Sequence, residues 1–173
     1  MKTIKYLLPF FISLIFLQIN GCDEINSIPL NIPVTITFDN KTGSDVTFDS
    51  GVYCLDSESD TYKEYQDKIN SITFLQAAYR TTSNSNPDFQ ADIIATIKNG
   101  SGQILATFQL SNIKPENYIK TPLILQLNQA GIQAINSALT VSKCFQVTVQ
   151  LIGTTTTTIS GAVDLVFEAD TKL

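Results

Sequence analysis

The 173-residue chain contains no histidine, no tryptophan and a single methionine. Without histidine, the Ser-His-Asp and Cys-His routes to an activated nucleophile are closed, and so are most zinc sites. No pair of carboxylates stands at a spacing that suggests acid–base chemistry either. The chain therefore reads as a non-enzyme that needs no cofactor. Basic residues are also scarce, 11 Lys and Arg against 16 Asp and Glu, and they form no patch. An acidic surface repels phosphate backbones, which argues against nucleic acid as a partner. No apolar run reaches the roughly 20 residues that a membrane-spanning helix requires.

The beginning of the chain is more informative. Met1-Lys2-Thr3-Ile4-Lys5 carries two positive charges and no acid, and Tyr6 to Leu17 is apolar apart from Pro9 and Ser13. That layout matches the n-region and h-region of a signal peptide. It closes on Ile19-Asn20-Gly21-Cys22, a small residue directly before a cysteine, and turns acidic at once with Asp23-Glu24. This segment resembles the lipobox signal of bacterial lipoproteins, with Ile19 and Asn20 where that family more often has Leu and then Ala or Ser. The resemblance covers residues 1–22. It implies cleavage before Cys22, a diacylglyceryl group on the Cys22 sulfur, and residence in the bacterial cell envelope, on the periplasmic face or the cell surface. The membrane is then a partner through Cys22. Two or more acyl chains hold a protein there stably, at about 0.8 kcal/mol per buried CH₂.

Three segments follow from this reading: a signal peptide over residues 1–21, the lipidated cysteine and a short tether over 22–31, and one β-rich domain over 32–173. Removal of residues 1–21 takes Lys2 and Lys5 away. Nine basic side chains then face sixteen acidic ones, a net charge of −7. With Cys22 lipidated, Cys54 and Cys144 form an even pair in an oxidising compartment, and a disulfide between them is expected. It would close a loop of about 90 residues, worth ~4–5 kcal/mol on the chain-entropy account. The Cα separation that a bridge demands is not legible in sequence, so two buried thiols remain the alternative.

From Ile32 onward, period-two alternation dominates. "VTITF" sets Val34, Ile36 and Phe38 on one face, and Val46 and Phe48 begin a second strand after the turn "DNKTGSD". "SITFLQAAYR" is apolar on both faces, as a central strand would be. "DFQADIIATIK" and "QILATFQL" form a hairpin around "NGSG", and "LILQL" aligns Leu123, Leu125 and Leu127. "CFQVTVQLI" and "TTISGAVDLVFEA" supply the last two strands, joined by "GTTTTT", which reads as a hairpin loop. Two short helices interrupt the strands. One lies in "TYKEYQDKIN", with Thr61 and Glu64 spaced as a capping box. The other lies in "NQAGIQAINSAL", capped by Asn128, with Ile132, Ile135 and Leu139 in a stripe. The fold class is mainly β: an antiparallel sandwich or partly closed barrel of about eight strands with two short helices.

Three features invite a chemical reading. Asp56, Glu58 and Asp60 alternate as calcium ligands do, but Thr61 stands where the loop needs Gly and Asp67 where it needs Glu, so a solvated acidic loop is expected and no metal site. Asp164 falls on the wet face of its strand with Thr158, Ser160 and Glu168. Tyr53, Tyr62, Tyr65 and Tyr79 are expected to pack in the core with their hydroxyls at its rim. The function expected is a non-catalytic binding or assembly module of the envelope, working with another envelope protein. The alternative is a carrier that holds a hydrophobic ligand between sheet and helices.

Overall fold

The computed structural model describes residues 27–172. In chain order the elements are β1 (Ser27–Cys54), the short helices α1 (Leu55–Glu58) and α2 (Asp60–Tyr65), a 3-10 turn at Gln66–Lys68, β2 (Ile69–Asn84), β3 (Ala91–Asn99), β4 (Ile104–Ile113), a 3-10 turn at Pro115–Tyr118, β5 (Leu123–Ile124), α3 (Gln129–Val141) and β6 (Cys144–Lys172). All six strands belong to one antiparallel sheet.

The frame of the sheet is the ribbon of β1 and β6, paired from Ser27↔Lys172 at one end to Cys54↔Cys144 at the other. The second edge of β6 is shared. Its first half pairs with β3 from Phe145 to Gly153, and its second half pairs with β2 from Ile159 to Thr171. β4 lies outside β3, and β5 adds two residues outside β2. The ribbon curls until its two halves face each other. Phe38 and Phe48 of β1 stack with ring centroids 5.1 Å apart, and Phe145 and Phe167 of β6 approach to 5.5 Å. The result is a half-barrel with three helices.

There are six strands in place of the eight expected, because two supposed turns do not end their strands. "DNKTGSD" and the threonine run lie opposite each other (Gly43↔Thr157, Thr42↔Thr158, Lys41↔Ile159), so pairing continues through both. The register then jumps from Gly43↔Thr157 to Asp45↔Ile152, which leaves the intervening β6 residues as a bulge. Bulges bend and twist a strand, and this one turns β6 from its β3 partner to its β2 partner. "GTTTTT" is thus the corner of one strand and not a hairpin loop. The tether is also shorter than expected, because residues 27–31 are already paired in β1, with Asn31 opposite Glu168. "LILQL" contributes only two strand residues, although the Leu125 N–H still donates to the Ala77 carbonyl.

The apolar alternation is realised in the core. Val34, Phe48, Ile93, Val147, Val149, Leu151, Val163 and Leu165 are all buried. On α3, Ile135 and Leu139 are buried and Ile132 is half-buried. The Asn128 carboxamide accepts from the Gly131 N–H at 2.8 Å, as its cap position implied. α2 starts earlier than expected. Its cap is Ser59, whose hydroxyl accepts from the Tyr62 N–H, and Thr61 lies inside the helix.

Candidate functional site

The curl brings both ends of the ribbon to one pole of the molecule. Cys54 and Cys144 sit opposite each other at the last paired position of β1 and the first of β6, with Cα atoms 4.0 Å apart, and they form a disulfide. The expected bridge is present. Cys22 and the rest of the lipobox segment lie outside the described residues.

Next to the bridge, α1 and α2 carry the acidic strip. Its three alternating acids do not converge. Glu58 accepts from the Cys54 N–H at 2.9 Å and so caps the start of its own helix. Asp60 pairs with Lys63 at 2.7 Å, and this contact holds its carboxyl below the usual range. Asp56 lies near Tyr62, whose hydroxyl is pushed up chiefly by burial and secondarily by that carboxylate. Asp56 also approaches the two cysteine sulfurs, but a disulfide offers no thiolate to a metal.

Where β1 begins, a surface groove of about 330 Å³ is lined by Ile28, Pro29 and Leu30 of β1, Tyr65 and Lys68 from the α2 region, and Thr171 and Lys172 of β6. The floor is apolar and the rim carries two ammonium groups. The Thr171 hydroxyl donates to the Ile28 carbonyl at 2.7 Å and pins the two strand ends together. Sequence reasoning missed this groove because residues 28–30 read as tether. The signal that existed was Ile28 and Leu30, two apolar residues at period two, continuing the alternation of Ile32 and Val34 back beyond the assumed boundary.

The tyrosines separate by environment. Tyr79 is fully buried, its hydroxyl 3.2 Å from the Thr81 hydroxyl, and burial pushes its pKa up to about 12. Tyr62 is buried, and Tyr53 packs against Phe145 with centroids 5.4 Å apart. Tyr65 lines the groove. The space between the two half-sheets is occupied by phenylalanine rings, including a Phe74–Phe167 edge contact at 5.9 Å.

On the outer face, Asp164 takes a hydrogen bond from the Thr35 hydroxyl at 2.7 Å and an ion pair from Arg80 at 2.8 Å, linking β1, β6 and β2. It is a cross-strand tie on the wet face. At the opposite pole, Thr157 is buried and donates to the Asn84 side chain at 2.7 Å, while the Thr158 N–H donates to the Ser85 hydroxyl. These bonds satisfy the corner of β6 where the crossing from β2 to β3 passes over it.

No family model matches the chain, and no curated protein matches it. Among solved structures, similarity in backbone arrangement is found to a chain of Desmodium yellow mottle tymovirus at 11% identity, covering 85% of this chain and 89% of that one with a TM-score of 0.41. A second is found in the structure of turnip yellow mosaic virus at 8% identity, covering 85% and 95% with a TM-score of 0.38.

Proposed function

We propose that this protein is a bacterial envelope lipoprotein, held to a membrane through lipid on Cys22, and that its β-domain is a non-catalytic binding or assembly module. The observation that carries the reading is the lipobox-like segment ending in Gly21-Cys22, placed directly ahead of a sheet that starts at Ser27. Five residue steps separate Cys22 from the first paired residue, at most about 17 Å of extended chain. An acyl group at Cys22 would therefore hold the disulfide-bearing pole close to the lipid surface. The Cys54–Cys144 bridge supports the same address, since disulfides persist in oxidising compartments.

The test is metabolic labelling with an alkyne-tagged fatty acid in a bacterium that processes lipoproteins. The wild-type chain should take up label and sediment with membranes, and Cys22→Ser should do neither. Equal labelling of the two would overturn the reading.

A further inference from the structure

The groove at the start of β1 is opposite in charge to the domain around it. Among the described residues its lining holds no carboxylate, and its only charged side chains are Lys68 and Lys172, in a domain of net charge −7. Both lysines are exposed. The three ion pairs among the described residues use Lys63, Arg80 and Lys114, and neither groove lysine takes part in one. The floor is apolar, and Ile28 is 51% exposed there. The walls are fixed. Thr171 is buried and pairs with Ile28 on one side and Ile69 on the other, and its hydroxyl holds the Ile28 carbonyl.

The register puts both ammonium groups within reach of the residues that precede the sheet. Lys172 stands directly opposite Ser27. Lys68 immediately precedes Ile69, the partner of Thr171, and so starts about 10 Å, two strand spacings, from β1. The four residues before Ser27 are Asp23-Glu24-Ile25-Asn26: two acids, one aliphatic and a residue suited to a turn. Glu24 is three steps from Ser27 and Asp23 four, about 10 and 13 Å of extended chain.

We propose that this segment folds back and occupies the groove, with Asp23 and Glu24 against Lys68 and Lys172 and Ile25 over Ile28. Exposed ion pairs are individually weak. A segment tethered this closely, however, meets its site at an effective concentration on the order of millimolar, and the apolar contact adds to both pairs. The clamp needs no lipid and goes beyond the envelope reading. With lipid on Cys22, the residue next to Asp23, it would seat the groove-bearing pole on the membrane and fix the orientation of the domain.

The experiment treats the full chain, in mild detergent, with a water-soluble carbodiimide. The reagent joins a carboxylate and an ammonium group in contact as an amide and takes up the water that is lost. Mass spectrometry should find Asp23 or Glu24 joined to Lys68 or Lys172 within one molecule, many-fold more often than to the exposed Lys41 near the opposite pole. A glutamate-specific protease should cut after Glu24 several-fold faster in Lys68→Gln with Lys172→Gln, and Lys68→Arg with Lys172→Arg should keep the slow cutting of the wild type. Cys22→Ser should give the same links, so loss of the anchor and loss of the clamp are separate results. Links no more frequent than those to Lys41, or equal cutting of the wild type and the Gln variant, would overturn the proposal. So would links found only between two molecules, which give the groove to a second copy, or links abolished by phosphatidylglycerol vesicles, which give it to lipid.

Discussion

Tyr79 shows how one buried hydroxyl becomes a pH sensor for the whole fold. Its ring is fully buried and its hydroxyl meets only the Thr81 hydroxyl, so ionisation would place a charge where water cannot reach. The folded pKa is about 12 against an ordinary value of 10.0. Because the folded value is raised, the stabilisation is fully present below pH 10, falls as pH rises through the window between the two values, and is gone above the folded one. Two units correspond to roughly 2–3 kcal/mol. Denaturant midpoints measured across that window should fall steeply, and Tyr79→Phe should remove most of the slope. A variant with the wild-type slope would place the alkaline sensitivity elsewhere. Phe89 and Gly153 show packing of the same tightness without a titratable group. A Cβ on Gly153 would lie 2.7 Å from the Gln90 carbonyl oxygen, a backbone atom that cannot swing aside.

Among the elements, the β1–β6 ribbon dominates, and the disulfide closes one end of it. The bridge spans a sequence separation of 90, so it restricts the unfolded chain strongly while joining strand ends already in register. Replacing Cys54 and Cys144 together by Ser should lower stability by about 2–5 kcal/mol, read as a drop in urea midpoint. An unchanged midpoint would mean that the pairing of β1 and β6 alone supplies the restriction. The ribbon also marks the limit of sequence reasoning. The inward positions of each strand were legible because burial on one face imposes a period of two, and Val147, Val149, Val163 and Leu165 fall where alternation put them. Asn128 was legible because a capping residue acts within one turn. The continuity of β6 through its threonines was not. Gly and Thr runs signal turns locally, and only the facing residues 41–43, far away in sequence, hold the run in a ladder. The groove at Ile28 and Lys172 was hidden for the same reason, since its walls come from opposite ends of the chain. Cys22 lies outside the described residues, so the anchor proposed for it rests on the sequence alone.

For the whole molecule, the acidic strip and the disulfide share the pole where the chain enters the sheet. The three alternating acids are not equivalent there. Glu58 is tied to the Cys54 N–H, whereas Asp56 is exposed and Asp60 is held only by Lys63 on the surface. If a basic envelope protein is the partner, Asp56→Asn with Asp60→Asn should remove a salt-sensitive cross-link in intact cells and leave the fold unchanged by circular dichroism. Exposed charges are screened beyond about 10 Å at 0.1 M salt, so the wild-type cross-link should already weaken as salt rises. An identical partner profile in the double variant would show that the strip only solvates the pole.

The pairing of Ser27 with Lys172 has a mechanical consequence. A pull applied at the start of β1 and resisted at the end of β6 opens the ribbon like a zipper, one cross-strand pair after another, and does not load all the pairs at once. Such peeling yields at low force. It stops at Cys54–Cys144, where a covalent bond takes the load. The residues between the cysteines, which hold α1 to α3 and β2 to β5, then lie outside the load path, and the chain can lengthen only by what β1 and β6 release.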